Sequence, residues 1–153
     1  DLTLLYLRDG RRVLLAMKKR GFGMGKWNGV GGKVEPTETV HNALVRECQE
    51  EIGVTPRDIQ KVGYLIFNEQ HEGERKLMNL HIFTAVSWQG TITESEEMNP
   101  QWFRVDSLPW QDMWPADQQW LPMVLDDKKV RGTFTLNDDN SVKHTDVRAV
   151  ETL

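Results

Sequence analysis

Apolar residues run along this chain in two rhythms, one of strands and one of helices. Residues 2–7 (LTLLYL) are nearly all apolar, and residues 13–17 (VLLAM) follow an Asp9-Gly10 turn. They predict two buried strands paired as a hairpin. Residues 61–68 and 77–87 predict two further strands joined by a polar hairpin loop at 70–75. In the second of these, Met78, Leu80, Ile82 and Val86 alternate with Leu77, Asn79, His81 and Phe83, so both faces are expected to be largely covered. Residues 90–100 read as a loop, 101–105 as a short strand, and 130–136 with 142–150 as a closing hairpin around a 137–140 turn.

The helical rhythm appears twice. Val40, Ala43, Leu44 and Cys48 recur at three- and four-residue spacing. Thr37 or Thr39 can cap this helix, and Gly53 supplies a left-handed stop. Residues 114–125 predict a second helix, entered through Pro115 and kinked or shortened by Pro122. Strands on both sides of a central helix, with a late helix, predict an α/β/α sandwich around a mixed sheet, one domain over residues 1–153.

Charge changes this picture at the end of the first helix. At roughly 100° per residue, Glu47 and Glu51 fall close to the bearing of Val40 and Leu44, with Glu50 beside them. Three carboxylates next to an apolar stripe repel each other and lose solvation unless a cation joins them. Hard oxygen donors in that number suit Mg²⁺ or Mn²⁺ rather than zinc. Taken alone, three glutamates fit an exposed acidic helix end equally well. Arg46, four residues before Glu50, reads either as an ordinary surface pair or as the partner that orients it.

The full spacing is more specific. Gly32, five residues, Glu38, seven residues, Arg46-Glu47-Cys48-Gln49-Glu50-Glu51-Ile52-Gly53-Val54 resembles the Nudix box, GX5EX7REUXEEXGU, with U a bulky aliphatic. Every charged and glycine position is filled; Cys48 at the first U is the departure, expected to affect packing and not metal binding. The resemblance implies hydrolysis of a nucleoside diphosphate linked to another group, with Mg²⁺ (or Mn²⁺) held by Glu47, Glu50, Glu51, the Gly31 carbonyl and Glu97. Glu51 is the expected base, with Glu47 or Glu97 as alternatives, and Arg46 orients Glu50. Glu38 is expected to brace the box loop.

Segments outside the box, MKKRGFGMGKWNGVGGKV before it and ESEEMNPQWF, WQDMWP and QQWLP after it, resemble the MutT-type branch that destroys oxidised purine nucleoside triphosphates such as 8-oxo-dGTP. That branch reads the purine edge with an asparagine and an aspartate pair. Asn28 stands in the asparagine's place, where the bland reading is a turn residue. The pair is here Ala116-Asp117, so only Asp117 remains, a residue that also suits a helix first turn. The resemblance further implies substrate contacts from Thr3, Lys18, Phe22, Gly31, Gly32, Lys33, Phe67, Met78, Trp114 and Trp120; Phe67 and Met78 are equally readable as core. Glu69 stands where a second aromatic is common, which would loosen the pocket. Lys18-Lys19-Arg20 reads as a solvated face or, beside a metal site, as contacts for triphosphate oxygens. The glycines of 29–32 would let the backbone approach a ligand closely.

Composition narrows the class. A net charge of −4 leaves no broad basic field for a nucleic-acid polymer. One cysteine excludes an internal disulfide and fits a reducing compartment. No apolar run approaches the roughly 20 residues of a membrane span, and no signal peptide is legible. The expectation is a cytoplasmic monomer acting on a small-molecule nucleoside triphosphate. His41, His71, His81 and His144 show no ligand spacing. Rival readings are a Nudix hydrolase for ADP-ribose, dinucleoside polyphosphates or RNA 5′ ends, and a catalytically silent nucleotide-binding domain; the intact box glutamates argue against the latter.

Overall fold

The computed structural model describes residues 1–71 and 73–153. An eight-stranded mixed sheet carries a helix on each face. Its strands are β1 (Leu2–Asp9), β2 (Arg12–Lys18), β3 (Trp27–Asn28), and, beyond the short β4 (Thr55–Arg57), β5 (Gln60–His71) and β6 (Glu74–Ala85). After β7 (Ser87–Gln89) come β8 (Met98–Arg104), β9 (Lys129–Leu136) and β10 (Val142–Val150). The order is β10-β9-β5-β6-β1-β2-β3, with β8 also on β2. β4 and β7 form a separate two-stranded sheet that the sequence did not signal.

Strand alternation divides the core in two. Leu5, Leu7, Leu14 and Ala16 pack with Leu44, Cys48 and Ile52 of α1 (Val40–Ile52). Leu4, Tyr6, Val13 and Leu15 belong to the other cluster, with Trp120, Leu121 and Val124 of α2 (Asp117–Leu125). Cys48 is fully buried among aliphatic neighbours. Thr39 caps α1, accepting from the Asn42 N–H at 3.1 Å, and Gly53 closes it at φ 74°. Among the described residues no helix is long and apolar enough to cross a membrane.

The structure corrects several expected details. The first hairpin is paired only at Arg8↔Val13 and Asp9↔Arg12; β1 then runs parallel to β6 while β2 takes β8. Into the fork comes the segment after β3. Asn28 pairs with Ala16 of β2, while Val30 exchanges hydrogen bonds with Leu5 and the Gly32 carbonyl accepts from Thr3 N–H. This splaying puts the glycine-rich turn inside the fold.

β8 begins at Met98, so the expected 90–100 loop is shorter. β5 and β6 extend to His71 and from Glu74, narrowing the expected 70–75 loop, of which Glu72 lies outside the described residues. β6 is not covered throughout: Leu77 is 59% exposed, because β1 first meets β6 at Leu80 and the hairpin projects beyond it. Val86, 72% exposed, lies between β6 and β7. α2 starts at Asp117, since Asp117 N–H to the Trp114 carbonyl (3.0 Å) makes residues 114–117 a turn, and the helix continues through Pro122.

Candidate active site

The carboxylates of α1 are arranged by one arginine. Arg46 grips Glu38 with two bonds, Nε to Oε2 at 2.7 Å and Nη2 to Oε1 at 2.8 Å. Its Nη1 donates to Glu47 at 2.8 Å and to Glu50 at 3.3 Å, and Nη2 also reaches the Lys33 carbonyl at 3.2 Å. The expected Arg46–Glu50 pair is therefore present, but as the longest arm of a network. Glu38 also accepts from the Glu35 N–H at 3.0 Å, so it braces the loop before the helix. The arginine holds the Glu38 carboxyl down to about 2.

Glu51 is the buried member, 5% exposed, and accepts from the Gly31 N–H at 3.0 Å. Burial, and then the charge of Glu47, push its carboxyl up to about 8, with Glu97 adding and Gly31 and Lys18 opposing. Burial also raises Glu47, against the pull of Arg46. Glu50 stands in solvent. Glu97 is half-exposed, 3.4 Å from Arg20 Nη2. Among the described residues no three carboxyl, imidazole or thiol side chains already converge as a metal cage. The donor set fits a hard divalent cation in kind: all its donors are oxygen, and the negative charges of Glu47 and Glu97 add to burial in raising Glu51, as those of Glu50 and Glu97 do for Glu47.

The glycines of 29–32 that line the cleft also have a packing role. A Cβ on Gly31 would lie 1.9 Å from the Thr3 carbonyl oxygen, and one on Gly32 would lie 2.7 Å from the Glu47 carboxyl carbon. What approaches closely is β1 and α1. Of the basic run, Lys19 pairs with Glu94 and the Ser95 carbonyl, and Arg20 with Glu96 and Glu97. Only Lys18 of these lines the cleft: β2 ends there, and the next two side chains are held by the acidic loop.

That cleft, of about 290 Å³, begins at Glu51, Gly31 and Gly32 and continues over the face of the sheet. Thr3, Asn28, Phe67 and Met78 line it from the strands. Phe22 and Trp114 line it from two loops, stacked on each other at 5.4 Å, with Lys26 Nζ 5.3 Å from the Trp114 ring. Phe67 is also stacked on Phe134 at 5.1 Å, so it belongs both to the core and to the cleft wall. Two expected contacts are not in the wall: Lys33, whose carbonyl is tied to Arg46, and Trp120, fully buried against Tyr6. Lining residues that the sequence did not nominate include Lys26, Leu136 and Asn140. Asn140, at φ 67°, had no signal beyond its turn.

Asp117 is 5% exposed, and among the described residues its Oδ2 has no hydrogen-bond partner. Burial pushes its carboxyl up to about 7, opposed by the Trp114 backbone, the Trp120 indole and Lys26. Among the described residues the indole N–H itself makes no hydrogen bond. The Asn28 carbonyl oxygen accepts from the Gly29 N–H at 2.8 Å and the Tyr6 hydroxyl at 3.2 Å.

A family model described as NUDIX domain matches residues 2–124. The chain is 45% identical over 149 residues to the oxidized purine nucleoside triphosphate hydrolase of Mus musculus, covering 97% of this chain and 94% of that one. It is 43% identical over 152 residues to the protein of the same name from Danio rerio, covering 99% and 96%. Among solved structures, a MutT protein from Bacillus halodurans superposes with a TM-score of 0.82 at 27% identity, covering 95% of each chain.

Proposed function

The chain belongs to the Nudix family, and from that membership we propose that it hydrolyses oxidised purine nucleoside triphosphates, 8-oxo-dGTP foremost, to the monophosphate and pyrophosphate. The observation that carries the reading is one continuous cleft. It has a buried carboxyl at one end, Glu51, and a second, Asp117, beside Asn28 among apolar and aromatic walls. A purine ring needs flat apolar contact on its faces and a few fixed polar groups on its edge.

Glu47, Glu50 and Glu51, with the Gly31 carbonyl and Glu97, would hold Mg²⁺, or Mn²⁺ in its place. The ion supplies neutralisation of triphosphate charge and activation of water. The rest falls to the chain's own residues. Glu51, at the buried end of the cleft and held by the Gly31 N–H, accepts the proton of the attacking water. Lys18 offers its ammonium to the phosphates, and Arg46 keeps Glu47 and Glu50 oriented. Phe22, Trp114, Phe67 and Met78 contact the ring, while Asn28 and Asp117 read its edge. The enzyme acts on a small molecule as a cytoplasmic monomer of one domain, a cleaner of the nucleotide pool.

Ala116 leaves one carboxyl where two would share a proton and accept either hydrogen-bond polarity on the base. Retention of 8-oxo-dGTP over 2-hydroxy-dATP is therefore expected. The test is Mg²⁺-dependent pyrophosphate release from 8-oxo-dGTP, 2-hydroxy-dATP, dGTP, dATP, ADP-ribose and diadenosine polyphosphates. Strong preference for 8-oxo-dGTP over dGTP supports the assignment. Preference for ADP-ribose or a dinucleotide overturns it, and equal kcat/KM for the two oxidised purines overturns the role given to Ala116.

A further inference from the structure

Tyr6 entered the sequence reading only as one apolar position of a buried strand, yet it is a polar hub under the cleft. Its side chain is fully buried, and its hydroxyl donates to Asn28 Oδ1 at 3.2 Å. Its ring meets Trp120 edge-on at 6.0 Å, and the charge of Asp117 acts on it. A buried tyrosine on a strand otherwise filled by leucine adds a hydroxyl that must be satisfied, so the residue at its end merits a functional account.

An asparagine side chain has two faces of opposite polarity, a carbonyl acceptor and an NH₂ donor, and a half-turn exchanges them. The Gly29 N–H, 2.8 Å from Asn28, is a donor only, so the atom it meets must be the oxygen. The Tyr6 hydroxyl supplies a second donor to that same oxygen. A half-turn would bring the Asn28 NH₂ against the Gly29 N–H, a donor-to-donor contact. With both lone pairs of Oδ1 taken, only Nδ2 remains to face a ligand, and among the described residues it has no protein acceptor.

We propose that Tyr6 is a positioning residue that, with the Gly29 amide, locks the Asn28 carboxamide so that it presents only hydrogen-bond donors to the nucleobase. The proposal rests on the reading of Asn28 as a base contact. It deepens that reading by fixing polarity: the base must offer an acceptor, a ring carbonyl or ring nitrogen, at this point. The glycine anchor alone leaves the amide free to swing about a single bond; the hydroxyl removes that freedom.

The test is a double-mutant cycle with Tyr6→Phe and Asn28→Ala in the full chain, reading KM and kcat for 8-oxo-dGTP together with the thermal midpoint. Tyr6→Phe deletes only the hydroxyl and keeps the ring on Trp120. It is expected to raise KM about three- to tenfold, as the loss of one net hydrogen bond does, with kcat within twofold. Asn28→Ala is expected to raise KM more, and adding Tyr6→Phe to it should change KM no further, since the hydroxyl then has nothing to position. A merely structural hydroxyl would lower the thermal midpoint and act additively on KM in both backgrounds, which overturns the proposal. So does an unchanged KM in Tyr6→Phe while Asn28→Ala raises it; in that case the base-contact reading stands. If Asn28→Ala leaves KM unchanged, both fall.

Discussion

At the scale of single residues, the two buried carboxyls show how burial prepares chemistry. Asp117 has its carboxyl pushed up to about 7. An acid whose folded value lies above its unfolded value destabilises the fold as pH rises. The loss begins near the unfolded value, about 4, and is complete above about 7. Asp117→Asn lacks that dependence. Paired urea melts at pH 5 and pH 8 should therefore show the variant gaining on the parent by about 2–3 kcal/mol at the higher pH, since part of the loss already lies below pH 5. A constant difference between the two pH values would contradict this. The same variant should raise KM for 8-oxo-dGTP, because the base loses an acceptor.

Arg46 gives a second residue-level expectation. Its two-pronged grip on Glu38, with a third arm on Glu47, uses the planar guanidinium fork. Arg46→Lys should therefore behave like Arg46→Ala, each lowering kcat about 100-fold through misplaced Glu47 and Glu50. Recovery of most activity in the lysine variant, by steady-state kinetics, would show that charge alone suffices.

At the scale of elements, the site depends on how the first hairpin opens. β1 and β2 part after two residue pairs, and the segment from Trp27 to Gly32 enters the gap, bonded first to β2 and then to β1. Gly31 sits where a side-chain carbon would meet the Thr3 carbonyl at 1.9 Å. The obstacle is backbone and cannot rotate away. Gly31→Ala should thus cost about 3 kcal/mol or more in urea unfolding, and also loosen the Gly31–Glu51 bond. Thr39→Ala, which removes one helix cap, should cost about 1 kcal/mol and leave kcat nearly unchanged. Sequence patterns located both helices and the seven longer strands, because their rhythms are local, and missed the two- and three-residue strands β3, β4 and β7. The pairing of β1 with β6, the fork and the β4–β7 sheet were not legible, since hydrogen-bond partners distant in the chain leave no periodicity behind.

For the whole molecule, the carboxylate end of the cleft is electrostatically incomplete. Glu50 and Glu97 disfavour the ionisation of Glu47, and Glu47 and Glu97 that of Glu51, against Arg46 on the first and Lys18 and the Gly31 N–H on the second. Mg²⁺ at ten times its dissociation constant should then stabilise the fold by about 1.4 kcal/mol, raising the thermal midpoint by a few degrees. Glu51→Gln should abolish both that shift and turnover. An unchanged midpoint with Mg²⁺ in the parent would remove the cation from this site. What the sequence by itself determined is the family and the local carrier of the candidate chemistry: helix periodicity gathers Glu47, Glu50 and Glu51, while likeness to the Nudix box adds Glu38 and Arg46 and nominates Asn28 and Asp117. What only the tertiary structure decided is which of these groups are buried, oriented or diverted. Lys19 and Arg20 are tied to the acidic loop, Lys33 and Trp120 lie outside the cleft wall, and Tyr6 comes up beneath Asn28. Polarity and proton affinity depend on neighbours brought from far along the chain, and those neighbours are chosen by packing.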